Sequence, residues 1–98
     1  MKTIISGLNK IFDSRIRLGI MAVLSVNDLL DFNTLKELLD ITDGNLASHL
    51  KTLEKNELVG VRKQFVGRKP NTAYFISPLG KEMFQQHLNA LEKFINPL

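Results

Sequence analysis

Cysteine is missing from this 98-residue chain. Its absence excludes disulfide staples, thiolate metal sites and dithiol redox chemistry, so packing and hydrogen bonding must hold whatever fold forms. Histidine is scarce: His49 and His87 stand far apart in the sequence, and no cluster is spaced like a metal site. Long apolar runs are absent too, and none approaches the roughly 20 residues a membrane helix requires. Gly7, Asn9 and Lys10 break up the stretch from Met1 to Phe12, which does not read as a secretion signal, so a cytoplasmic protein is expected. There is no G-x-S-x-G nucleophile motif and no glycine-rich phosphate loop. Neither an enzyme, a cofactor nor a metal is expected on these grounds.

Hydrophobic residues make up 44% of the chain and charged residues 23%, the ordinary range of one globular domain spanning residues 1–98. A chain of this size buries roughly two thirds of its unfolded surface, and a partner subunit would add to a modest core. The net charge of +3 and pI near 9.4 only mildly favour a polyanionic partner. The distribution says more: residues 1–26 sum to +3, residues 27–50 to −4, residues 51–69 to +4 and residues 70–98 to zero. A charged block is usually a solvated face, so this clustering matters only if the fold gathers it on one side.

Ile4, Ile5, Leu8, Ile11 and Phe12 fall at helical spacing and predict a short amphipathic helix over 4–12. Ser14 is placed to cap a second helix carrying Ile16, Ile20, Val23 and Leu24 to about Val26. Asp31 to Asn33 is too short for more than one bridge of an edge strand. Thr34 and Glu37 have capping-box spacing, which predicts a helix beginning at Leu35 with Thr34 as its N-cap. A second start follows at Thr42, where Ile41 and Leu46 occupy hydrophobic-staple positions. Two helices therefore meet through a turn of about four residues.

From Asp43 to about Asn56, Leu46, Leu50 and Leu53 form one apolar stripe, with small Ala47 beside it. The other face presents Asn45, Ser48, His49, Lys51, Thr52 and Lys55, side chains able to bond base edges or phosphates. The period then changes. Val59, Val61 and Phe65 alternate with polar residues, Gly67 to Asn71 reads as a turn, and Tyr74 and Ile76 resume the alternation. This is a hairpin with a basic tip. Ser77 and Pro78 open a long helix that Asn96 and Pro97 end. It carries two apolar rows, one with Phe84, Leu88, Leu91 and Ile95 and one with Leu79, Met83, Ala90 and Phe94. One row suffices for a domain core. The surplus, with Ile4, Leu8, Ile11 and Phe94, is expected to form a dimer interface, unless the segment 4–12 of the same chain covers it.

The residues 38–59, LLDITDGNLASHLKTLEKNELV, with GRKPNTAYFIS and PLGKEMF after them, resemble the single-domain winged helix-turn-helix regulators of the MarR/ArsR-like group. The resemblance spans about residues 14–84. It implies an α+β, mainly helical fold with a two- to three-stranded wing and a long C-terminal helix. It also implies that the helix from Asp43 lies in the major groove of duplex DNA while the hairpin reaches the backbone or minor groove. DNA contacts would then come from Thr42, Gly44, Asn45, Ser48, His49, Lys51 and Thr52 on that helix, and from Arg62, Lys63, Arg68 and Lys69 on the wing. Thr34 and the first amides of its helix would hold a further phosphate. Control of transcription, as a repressor at a pseudo-palindromic operator, follows from the resemblance alone, and no effector is legible. Metal-sensing relatives use cysteines or clustered histidines and carboxylates, which this chain does not offer. Two other readings stay open: a protein-interaction winged helix, which needs no basic wing, and an RNA-binding module, which would favour paired exposed aromatics.

Overall fold

The computed structural model describes residues 4–96; Met1 to Thr3, Pro97, Leu98 and the side chain of Ile4 lie outside the described residues. The expected helix over 4–12 is instead two 3-10 turns, Ile4–Gly7 and Lys10–Phe12. Asn9 makes the break. Its side chain accepts the Ile11 amide at 3.0 Å, and its own amide donates to His87 Nδ1 at 3.1 Å, so the local backbone bonds sideways instead of continuing a helix. Phe12 is then delivered into the core, edge-on to Phe84 with ring centroids 5.7 Å apart.

Helix α1, Arg15–Ser25, begins where expected, with the Ser14 hydroxyl accepting the Arg17 amide, and buries Ile20, Met21 and Leu24. Strand β1 is Leu30–Asp31, and α2, Phe32–Leu39, follows without a linker. Thr34 is not the N-cap of this helix. Asp31 is, its carboxylate accepting the Thr34 amide at 2.8 Å. Pairing of Leu30 and Asp31 with β3 holds the chain extended there, so the cap conformation falls at Asp31 and Thr34 is already in the first helical turn.

Three residues, Asp40 to Thr42, separate α2 from α3, Asp43–Lys55. Asp40 adopts the left-handed conformation that ends α2, and the Thr42 hydroxyl caps α3 by accepting the Asn45 amide at 3.2 Å. Leu46, Leu50 and Leu53 are buried as expected, while Ala47 is exposed and receives no neighbouring helix. Glu57 takes the left-handed position after α3, and the Leu58 amide reaches back to the Leu53 carbonyl at 3.0 Å, the six-to-one bond of a Schellman ending.

Strands β2, Val59–Val66, and β3, Lys69–Ile76, pair antiparallel, and β1 adds to the far side of β3, giving the order β1-β3-β2. The turn is tighter than the sequence suggested. Gly67 and Arg68 alone close it, with φ of +65° at Gly67 and no positive φ at Arg68, the pattern of a type II′ turn. Lys69 to Asn71 therefore join β3. Pro70 is tolerated because β1 pairs only with Ala73 and Tyr74, leaving the β3 edge free at that level.

Helix α4, Pro78–Ile95, is capped by Ser77 and buries Gly80, Phe84, His87 and Ala90. Its first turn lies against Leu58, whose carbonyl accepts the Ser77 amide at 3.0 Å. The core is one cluster joining α1, α2, α3, the base of the hairpin and α4. The element order and three-stranded sheet are those the resemblance implied.

Candidate nucleic-acid interface

The apolar stripe of α3 is sunk into the core, which fixes the opposite face outward. Gly44, Asn45, Ser48, Lys51 and Lys55 are exposed, and His49 and Thr52 are half-buried at one edge. A Cβ built at Gly44 would meet open space. The Thr52 hydroxyl donates to the Ser48 carbonyl one turn back, leaving its oxygen to accept. Among the described residues nothing bonds the Asn45 side-chain amide, and its backbone N–H donates to the Thr42 cap. These side chains share one side of a 13-residue helix, so a single groove can receive them.

His49 is held from behind. Arg17, on the first turn of α1, has Nη1 3.0 Å from His49 Nδ1, and its Nε donates to the Ile11 carbonyl at 2.6 Å. Burial, with the Arg17 charge second, holds the imidazole below its ordinary pKa, so it is neutral at pH 7. Arg17 was not among the residues singled out from the sequence. Nothing in its spacing pairs it with position 49; only the crossing of α1 over α3 does.

On the wing, Arg62, Lys63, Arg68 and Lys69 are all exposed. Among the described residues the single ion pair is Lys36 with Asp43, at 2.8 Å. The basic side chains of 51–69 therefore carry no carboxylate partner, and their charge is directed at solvent. Asp43, the acidic group at the start of α3, is occupied by Lys36 and sits in the first turn, where the helix dipole favours it. Phe65 departs from the expected half-buried alternation: it is 73% exposed, because the hairpin extends past the helices that cover Val59 and Val61.

Thr34 stands on α2, exposed, but its amide is taken by Asp31. That amide donor, which the sequence offered to a phosphate, faces a carboxylate held below its usual pKa by the Thr34 amide and hydroxyl. A chain of side-chain bonds continues from there. Asn71 Nδ2 donates to Asp31 Oδ2 at 3.2 Å and Gln64 Nε2 donates to Asn71 Oδ1 at 3.0 Å, linking the cap of α2 to both wing strands. This ladder was not legible in the sequence.

The expected subunit contact divides. Phe84 belongs to the domain core, and Ile11 packs against that core. Leu8 is half-buried. The side chain of Ile4 lies outside the described residues. The segment 4–12 does cover part of α4, since a Cβ on Gly7 would come within 3.2 Å of Ala90 Cβ. It leaves Leu88, Leu91, Phe94 and Ile95 exposed, Ile95 at 86%. Gly80, Phe84, His87, Leu91 and Phe94 follow four-three spacing along α4, so the row that faces the core runs on past it, and no described residue covers its end.

No helix among the described residues is long and apolar enough to cross a membrane, and no three potential metal ligands stand together there. Residues 16–95 match the family model described as a winged helix DNA-binding domain. An uncharacterised protein of Methanocaldococcus jannaschii is 38% identical over 79 residues, spanning 81% of this chain and 86% of that one. Among solved structures, the transcriptional regulator homologue from Pyrococcus horikoshii OT3 superposes with a TM-score of 0.82 at 34% identity, covering 89% of this chain and 86% of that chain. Reduced HlyU from Vibrio cholerae N16961 follows with a TM-score of 0.66 at 27% identity, over 78% and 76% of the two chains.

Proposed function

The chain belongs to the winged helix DNA-binding domain family, and from that premise we propose that it is a homodimeric repressor reading specific duplex sites. As a DNA-binding transcriptional regulator it is not an enzyme, and its structural neighbour from Pyrococcus horikoshii carries the same class of role in its name. In this reading α3 enters the major groove with Asn45, Ser48, His49 and Thr52 at base edges, and Thr42, Gly44 and Lys51 at its margins. The hairpin places Arg68 and Lys69 on flanking phosphates or in the minor groove, with Arg62 and Lys63 extending the footprint. The observation that carries it is the charge left uncompensated beside a polar helix face: four wing cations, exposed and without carboxylate partners.

The uncovered apolar row on α4 supports the dimer. Two copies meeting along Leu88, Leu91, Phe94 and Ile95 would remove those side chains from water and repeat α3 about a two-fold axis. Reading helices set about 34 to 36 Å apart then match successive major grooves of a pseudo-palindrome.

The test is binding to a duplex selected from a random pool, titrated across salt. Replacing Arg68 and Lys69 together by alanine flattens the salt slope by up to about two units. Asn45→Ala instead relaxes base preference by about 1 to 3 kcal/mol at one position. If neither variant changes binding, the interface assignment falls. Sedimentation that shows a monomer at micromolar concentration, with and without the duplex, overturns the dimer. A reporter silenced no further by the protein when the selected site overlaps its promoter overturns repression.

A further inference from the structure

Arg17 and His49 meet across the boundary between α1 and the reading helix, and the chemistry of that contact restricts what His49 can present. A guanidinium has only donors and stays protonated at any ordinary pH. Arg17 Nη1, 3.0 Å from His49 Nδ1, is therefore the donor, and Nδ1 is the acceptor. A neutral imidazole that accepts at Nδ1 carries its proton on Nε2. The guanidinium is itself held in place, since its Nε donates to the Ile11 carbonyl at 2.6 Å. No described protein atom bonds Nε2, and no buried side-chain polar atom is left without a partner, so Nε2 is open to solvent. His49 lies one turn from Asn45 and next to Ser48 on the exposed side of α3.

We propose that Arg17 is a positioning residue for sequence reading: by occupying Nδ1 it makes His49 a fixed hydrogen-bond donor, which turns away donor groups on the major-groove edge and meets an acceptor there, assigned here as a purine N7. This rests on α3 entering the major groove. Without Arg17 the imidazole can carry its proton on either nitrogen, and the same side chain can donate or accept. The depressed basicity of His49 agrees with a neutral donor in place of a diffuse cation. Discrimination comes from the groove code, in which purine N7, guanine O6 and thymine O4 accept while the cytosine amino group can only donate, so a fixed donor rejects cytosine, and N7 is the acceptor the two purines share.

The experiment has two arms. In the free protein, long-range nitrogen–proton NMR of the His49 ring is expected to show the proton on Nε2, and Arg17→Met to give a mixture; a proton on Nδ1 in the unmodified protein overturns the proposal. In the second arm the selected duplex is scanned with 7-deazapurines one position at a time. One position should weaken binding of the unmodified protein about tenfold, while neither Arg17→Met nor His49→Ala is weakened further there, and Arg17→Lys, which keeps a donor, retains part of the effect. If no deazapurine weakens binding of the unmodified protein, His49 meets no purine N7 and the proposal fails. A protein that selects no sequence at all refutes the DNA reading itself, whereas a consensus unchanged in Arg17→Met refutes only the role of Arg17.

Discussion

Gly80→Ala opposes two well-measured effects, and the structure decides which wins. Gly80 is the third residue of α4, with its amide donating to the Ser77 hydroxyl at 2.9 Å. Helix propensity alone makes alanine better by up to about 1 kcal/mol. A Cβ at Gly80, however, would overlap the Leu58 carbonyl oxygen and stand 3.0 Å from Ile76 Cγ1. A side chain could move aside, but a carbonyl cannot do so freely. The Leu58 carbonyl accepts the Ser77 amide, and the Leu58 amide closes the end of α3, so moving it loosens both helix junctions. Overpacking against yielding side chains costs about 1 to 3 kcal/mol, and a contact with bonded backbone lies at or above the top of that range. The net expectation is a loss of about 2 kcal/mol, lowering Tm by roughly 8 to 16 °C for a domain of this size. Thermal and urea unfolding followed by circular dichroism measure it. Gly44→Ala is the paired control, since its Cβ meets open space and its stability should hold or rise. A Gly80→Ala protein as stable as the parent would refute the reasoning.

Asp31→Ala removes both the α2 cap and the bond to Asn71, and should cost about 1 to 2 kcal/mol in urea unfolding, with Asp31→Asn recovering most of it. The Asp31 pKa is lowered in the fold, so its contribution is present above the ordinary carboxylate pKa of 3.8 and is lost as pH falls through the folded value; Asp31→Asn should lose less stability than the parent in that acid window. His49 is also lowered, but as a base its sign differs: below the ordinary value of 6.5 the unfolded chain takes up a proton that the fold resists. Stability should therefore decline as pH falls from 6.5 toward the folded value and then level off. The decline should shrink in His49→Gln, measured as Tm against pH for both proteins; equal slopes would refute the lowered basicity of this imidazole.

Local signals were legible where one residue's chemistry settles the backbone. The Ser14, Thr42 and Ser77 caps, the leucine stripe of α3 and the proline start of α4 stand where spacing placed them. The misses came from competition settled by distant partners. Thr34 and Asp31 both offer cap chemistry, and the choice fell to Asp31 because β3, some 40 residues on, extends the chain beneath it. The segment 4–12 had helical periodicity, yet His87 draws the Asn9 amide away. Phe84 looked like one row of a surplus because the sequence could not show that Phe12 would meet it. On the interface, the helix face and wing cations could be read from residue type, whereas Arg17 and the ladder from Asp31 through Asn71 to Gln64 exist only in three dimensions.

The sharp division of α3 has a consequence for how such a chain changes over generations. Leu46, Leu50 and Leu53 hold the helix and touch nothing outside, while Asn45, Ser48 and Lys51 face outward and support none of the packing. Exchanges at the outward positions should cost within about 0.5 kcal/mol of stability, so target preference can drift while the scaffold stays as it is. Position 49 is the exception. Its ring meets Arg17 on one side and, in the proposed reading, the groove on the other, so there recognition and architecture can only be revised together.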